Sequence, residues 1–473
     1  MLFPTVTFAA FFLVVFTLSW LLMPSFRLWK LFMIAASYVF YGVSSWTFSL
    51  LIVASTVVNQ FCAVMIDRSR GRARTWWLVV AVVADLGILG WFKYYGFFVS
   101  SLDNFLGVFG SHSPLPLLDI VLPVGISFLT FRAISYVVDV YRGKVRPGPH
   151  ADVALYFVFF PYMMAGPIVR AADLLPQLGS PRDPRRIDSS RALWLIFGGL
   201  VKKMLIADFL SAYVIKIFGA PGGYSSLEVV LAVYAYSVQI YCDFSGYTDI
   251  AIGLGMLLGF RFPQNFNSPY AAISVQDFWR RWHMTLSSWL RDYLYIPLGG
   301  NRKGRLRTYI NLLATMLLGG LWHGAAWTFV AWGGLHGSAQ VVEHWFRDRR
   351  QARGLPPVEP SRGGRVLRRI LVFHFITFCW IFFRADSFSA AAHVIGRVFT
   401  AWGAASPDVS FALVGVIVAG IAMQYVPTRL SDGIQAGFSR LGPVVQGLAC
   451  ALGLFLVSTL GPQGPSLFLY FKF

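Results

Sequence analysis

The stretch Thr308–Leu335, TYINLLATMLLGGLWHGAAWTFVAWGGL, contains no Asp, Glu, Lys or Arg. A helix needs about 20 mostly apolar residues to cross the hydrocarbon core of a bilayer. This run exceeds that length, so it is long enough to fold back. Further uncharged runs lie near 3–23, 31–66, 76–92, 117–131, 151–169, 192–201, 227–242, 370–383, 409–428 and 444–462. Some are too short to cross alone, and the set predicts about nine to twelve crossings plus re-entrant pieces.

Composition agrees. Of 473 residues, 56% are hydrophobic and only 13% charged, against roughly 25% charged in soluble domains. The net charge of +19 raises nucleic acid as a partner. The cations, however, cluster in loops between apolar runs, which is the positive-inside pattern, and no nucleic-acid module is present. The dispersed Cys62, Cys242, Cys379 and Cys450 read as small buried hydrophobes rather than a disulfide or metal framework. The first charge is Arg27, so the basic n-region of a cleavable signal is missing and the first run reads as a permanent span.

Basic loops set an orientation. Arg27 and Lys30 follow the first run, which places the N-terminus outside; Arg68, Arg70, Arg72 and Arg74 form the next cluster. The run 31–66 must then enter and return, turning at Gly42-Val43-Ser44-Ser45. The strongest cytoplasmic signal is 346–369, a linker whose Gly354–Gly364 centre cannot continue a helix. With no repeat or low-complexity tract, residues 1–473 read as a single integral-membrane domain.

The segment 274–307 has helical period but too much charge for a lipid-facing span. Ser274 and Asp277 form a capping-box-like start. Phe278, Trp282, Leu286, Trp289 and Tyr293 make an aromatic stripe, and Gln276, Arg280, His283, Ser287 and Arg291 a polar one. Pro297 and Gly299-Gly300 end the helix. The reading is a helix lying at, or dipping in from, the cytoplasmic face.

Chemistry points to two Trp-His dipeptides, Trp282-His283 and Trp322-His323. Imidazole exchanges protons near neutral pH, and an intramembrane ionisable group is a functional candidate by default. The alternative for His323 is an interhelical hydrogen bond, with Gly319, Gly320 and Gly324 serving helix packing. The alternative for His283 is a surface imidazole bonded to Asp277 or Asp292. Asp243 and Asp249, in Tyr241–Gly253 (YCDFSGYTDIAIG), must be paired, protonated or wetted; Ser245-Gly246 suits a helix break there. His336 and His374 read as satisfied bundle histidines, and Asp85, Asp139 and Asp208 as partners of nearby Lys or Arg. No metal site is expected, since no HExxH or Cys/His cluster exists.

These motifs resemble the membrane-bound O-acyltransferase (MBOAT) family, and within it the bacterial alginate O-acetylase type, with teichoic-acid D-alanylation acyltransferases as cousins. The residues that carry the resemblance are Tyr241–Gly253, Asn265–Tyr270, Asp277–Gly300 (DFWRRWHMTLSSWLRDYLYIPLGG) and Gly319–Gly324 (GGLWHG), with Pro123–Phe128 and Pro161–Arg170 upstream. The resemblance covers about 120–390, the expected catalytic region. It implies an all-α polytopic membrane bundle with re-entrant helices around a central tunnel. It implies His323 as the essential histidine and matches His283 to the earlier motif histidine. The implied reaction moves an acetyl group from a cytoplasmic thioester, acetyl-CoA as co-substrate with no bound cofactor, to a hydroxyl of an extracytoplasmic polysaccharide or to a periplasmic acetyltransferase partner. The cluster Arg302, Lys303, Arg305 and Arg307 is the candidate landing place for the CoA phosphates, with topology signal alone as the alternative. The implied location is the bacterial inner membrane, among its lipids. The rivals are D-alanyl transfer to a cell-wall polymer and a non-enzymatic transporter or flippase of glycan precursors.

Overall fold

The structure is a computed structural model that describes residues 1, 3–43 and 45–461. Every regular element among the described residues is helical. Serine hydroxyls start many of the helices, as backbone donors in a first turn require: Ser274 accepts from the Asp277 N–H, Ser361 from Gly364, Ser387 from Ala390 and Ser410 from Leu413. The capping box predicted at 274 therefore forms, although Asp277 reaches back one residue further, to the Ile273 N–H at 3.1 Å.

Among the described residues, five helices are long and apolar enough to cross a membrane: Trp46–Arg68, Gly71–Gly107, Ser226–Leu257, Arg362–Arg384 and Pro443–Leu460. A sixth span results if Phe411–Tyr425 and Thr428–Ser439, which meet at 95°, are counted together. Pro427 lies at that bend. This is fewer than the apolar runs predict. Several runs fold as helices of 17 residues or fewer, such as Val6–Leu22 and Phe26–Gly42. The 308–335 run divides into two helices, Arg305–His323 and Trp327–Ala352.

The chain forms two compact units. The first comprises Met1–Ser189 with Leu254–Pro263. Its 31–66 run breaks where expected: one helix ends at Gly42 and the next begins at Trp46, Ser44 lying outside the described residues. The motifs Pro123–Phe128 and Pro161–Arg170 dock on each other. Gly125, at φ +78°, leaves no room for a side chain, because a Cβ there would lie 3.1 Å from the Met163 carbonyl oxygen. Two turns on, buried Arg132 donates to the Tyr162 and Met163 carbonyls, both at 3.2 Å. Asp139 pairs with Lys144, as expected, whereas buried Asp85 takes an amide partner, Asn59, instead of a cation. A neutral donor suffices where a base would itself have to be desolvated.

The second unit takes Ser190–Gly253 and the described chain from Gln264 onward. Its long helix Ser226–Leu257 passes through Ser245-Gly246 without the predicted break. Gly246 serves close approach instead: a Cβ there would lie 2.7 Å from the Gly199 carbonyl oxygen. The neighbouring π-helical turn Val201–Ala207 supplies the cations for the intramembrane carboxylates. Lys203 reaches Asp243 at 2.6 Å and Asp208 at 2.7 Å, and Lys202 pairs with Asp249. Of the three states open to buried carboxylates, paired, protonated or wetted, both Asp243 and Asp249 take the first. The 346–369 linker is shorter than its sequence signal, because helix continues to Ala352 and resumes at Arg362.

The hairpin Arg305–His323/Trp327–Ala352 is fastened backbone to backbone. A Cβ on Gly320 would collide with the Phe329 carbonyl oxygen and stand 3.1 Å from the Gly333 Cα. Gly320→Ala is expected to lower stability by roughly 1–3 kcal/mol through overpacking, read as a fall in unfolding temperature in detergent.

Candidate active site

The segment read as one helix from 274 is two. Val275–Trp279 and Met284–Leu290 are separated by a turn in which His283 sits in the left-handed region at φ +42°. A helical period counted across such a turn fails. His283 leaves the polar stripe of Gln276, Arg280, Ser287 and Arg291 and becomes fully buried. Its only counterpart as a non-glycine residue with positive φ among the described residues is Ser268, at +46°. Such conformations persist when the surroundings over-determine them, and here the Asn265–Tyr270 loop does so. The Asn265 carbonyl oxygen accepts from Met284 N at 2.9 Å, and Asn267 N donates to the Arg281 carbonyl at 2.9 Å.

The Asn265 side chain also fixes the His283 tautomer. Its Oδ1 accepts from Thr285 N at 3.2 Å and from the Thr285 hydroxyl at 2.8 Å, and it lies 3.1 Å from His283 Nδ1. An acceptor oxygen requires the proton on Nδ1, so Nε2 of the neutral ring carries the lone pair. No described residue hydrogen-bonds that Nε2. The carboxylate partners suggested by the sequence are engaged elsewhere: Asp277 with Arg281 at 2.8 Å and Asp292 with Arg291 at 2.7 Å. Asn265→Leu removes the acceptor for three buried donors and is expected to destabilise by roughly 1–3 kcal/mol for each donor left unsatisfied. Unfolding in detergent, compared with Thr285→Val, which removes only one of those bonds, checks this.

His323 is the last residue of its helix and is buried. Aromatic rings enclose it: Trp322 at 4.9 Å between centroids, Trp332 at 5.0 Å and Phe383 at 5.3 Å. Trp322 also lies 6.3 Å from His283. The two Trp-His dipeptides, 40 residues apart in the chain, thus share one aromatic box. The glycines beside His323 serve packing: Gly320 against Gly333, Gly324 against the Phe329 ring and Gly319 against Leu290.

His374 is satisfied at both nitrogens, by Tyr234 at 2.8 Å and the Ile370 carbonyl at 2.7 Å. His336 departs from that expectation. Its Nδ1 accepts from Trp279 Nε1 at 3.3 Å, and its Nε2 has no hydrogen-bond partner among the described residues. Its ring packs 4.7 Å from Trp332. Arg302, Lys303, Arg305 and Arg307 are exposed. Arg305 opens the helix that His323 closes, about 27 Å away along the axis at 1.5 Å per residue.

A buried box with two imidazoles, one of them with its tautomer set by an amide, suits proton transfer during acyl transfer. Residues 145–384, which contain both histidines, match the family model of the membrane-bound O-acyltransferases. The chain belongs to that family. It is 42% identical to a Pseudomonas aeruginosa protein named "Probable alginate O-acetylase AlgI", over 78% of this chain and 70% of that one. It is 38% identical to the peptidoglycan O-acetyltransferase of Helicobacter pylori, over 77% and 73% of the two chains. The teichoic acid D-alanyltransferase of Bacillus subtilis matches at 28% identity, over 62% and 75%. This multi-pass membrane protein is therefore an O-acyltransferase, and its O-acetylating relatives are the more similar ones.

What the sequence did not reveal is the part played by Asn265 and the packing of Trp332 on His336. Asn265 carries a signal only in hindsight, as the first residue of a polar loop just before the aromatic segment. Trp332 and His336 are four residues apart, but helical spacing alone assigns no partner to either.

Proposed function

We propose that this O-acyltransferase moves an acetyl group from acetyl-CoA, on the cytoplasmic side of the inner membrane, to a hydroxyl of an extracytoplasmic glycan or of a periplasmic partner that completes the transfer. The observation that carries this reading is the shared aromatic box of His283 and His323. The named substrates of the acetylating relatives, alginate and peptidoglycan, support a glycan acceptor.

His323 acts as the base. It takes the proton of the acceptor hydroxyl while that oxygen bonds to the thioester carbonyl carbon. The tetrahedral adduct collapses, the C–S bond breaks, and the imidazolium returns the proton to the thiolate, leaving an ester and free thiol. Such acid–base assistance contributes roughly 10²–10⁴-fold, and positioning in a tight site contributes more. His283 presents a lone pair at Nε2, so it suits a hydroxyl rather than a carbonyl oxygen; it holds a neighbouring sugar hydroxyl and orients the acceptor. Arg302, Lys303, Arg305 and Arg307 receive the CoA phosphates as charge-assisted donors.

The test is release of free CoA by the protein reconstituted in vesicles with acetyl-CoA inside and glycan fragments outside. Thiol release that depends on the acceptor supports the reading. A protein that moves glycan fragments and consumes no thioester is a transporter, and the reading fails.

A further inference from the structure

The turn between the Trp46–Arg68 and Gly71–Leu89 helices is strongly basic: Arg68, Arg70, Arg72 and Arg74 stand against a single acid, Asp67, within residues 67–75. Arg74 serves the fold. It donates to the Val140 and Tyr141 carbonyls at 3.3 and 2.8 Å, where the Ile126–Tyr141 helix ends, and its guanidinium lies 5.3 Å from the Tyr141 ring. Thr75 and the Tyr141 hydroxyl share a hydrogen bond of 3.1 Å, so the tyrosine is held from two sides. Arg68, Arg70 and Arg72 are exposed and pair with no acidic side chain among the described residues. Beside them an open groove of about 1290 Å³ is lined by Arg72, Thr75, Trp76, Val79 and Tyr141.

The same helix face continues the groove in apolar form. Arg72, Trp76, Val79, Val83 and Leu86 recur at spacings of four and three, which places them on one side of the helix. The four apolar members are 62%, 45%, 62% and 50% exposed. From Arg72 to Leu86 the face extends about 21 Å along the axis. A single leaflet with its headgroups is about as deep, half of a 40–45 Å bilayer. The face therefore repeats the profile of one phospholipid: charge at the surface, an amphipathic indole at headgroup level and hydrocarbon beyond.

We propose that this groove binds one anionic phospholipid of the cytoplasmic leaflet, with its phosphate on Arg72, its glycerol region between Trp76 and Tyr141, and an acyl chain along Val79, Val83 and Leu86. Guanidinium donors match phosphate oxygens as charge-assisted hydrogen bonds, and Arg68 and Arg70 add positive potential at the mouth of the groove. An interfacial tryptophan alone would place the helix in any lipid. The arginines beside it select a headgroup with net negative charge. The site lies wholly within the first unit and does not depend on the acyl-transfer reading.

The test titrates the full chain, purified in detergent, with phosphatidylglycerol or with phosphatidylcholine of the same acyl chains, and reads the affinity of the tightest bound lipid by native mass spectrometry. Phosphatidylglycerol is expected to bind in preference. Arg72→Gln is expected to weaken it about fivefold, the contribution of one arginine near an anionic surface, while Arg72→Lys, which keeps the charge, retains most of the preference. Trp76→Ala is expected to weaken both lipids. Arg353→Gln, which removes an exposed arginine of the 346–369 segment, is expected to change neither. Equal affinity for the two lipids, a phosphatidylglycerol affinity untouched by Arg72→Gln, or an equal loss in Arg353→Gln overturns the assignment. Displacement of the lipid by inorganic phosphate marks a site for a soluble anion and overturns it as well.

Discussion

His323→Ala is expected to leave a folded, membrane-inserted protein that releases free CoA roughly 10²–10⁴-fold more slowly than the wild type. The estimate combines loss of the acid–base group, roughly 10²–10⁴-fold, with retention of the surrounding box. Trp332 and Phe383 pack on each other and on Trp380 as well as on the imidazole. The cavity left by the ring therefore has stiff walls, and the expected loss lies in kcat rather than in assembly. The comparison to make is kcat/KM for acetyl-CoA against the unfolding temperature of the same preparation. A His323→Ala protein with normal turnover removes His323 from the mechanism. His323→Gln, which keeps a polar group of similar size but cannot shuttle a proton, is expected to be as inactive as His323→Ala.

Lys203→Met is expected to be strongly destabilising. Lys203 is buried between Asp243 at 2.6 Å and Asp208 at 2.7 Å. Breaking a buried pair by removing one partner costs roughly 3–5 kcal/mol, because the opposite charge stays behind in a low-dielectric environment. Here two carboxylates stay behind, facing each other. The variant is expected to accumulate poorly and unfold at markedly lower temperature. Adding Asp243→Asn to Lys203→Met is expected to restore part of the loss, since one orphaned charge becomes a neutral amide. A double variant no more stable than the single one contradicts this account of the cluster.

The fold class was legible because lipid leaves the backbone few options: runs such as 308–335 must become helix. The two Trp-His dipeptides stood out too, from the motifs around them. Their proximity did not. It depends on a turn at 280–283 that no periodicity announces, held by hydrogen bonds from Asn265 that are long-range in sequence. A helical wheel drawn through that turn assigns His283 to the polar face; the structure buries it. The same limitation applies at Ser245-Gly246, where small residues suit either a break or a close helix contact. Only the opposing helix, with Gly199 at the contact, decides between them.

Glu343 stands on the Trp327–Ala352 helix yet caps the first turn of the Val275–Trp279 helix, accepting from Val275 N and Gln276 N. Because the glycine seam joins that same helix to the one ending in His323, both imidazoles are mechanically coupled to a single lever. One helix therefore sets the position of both the segment that leads to His283 and the helix that ends in His323.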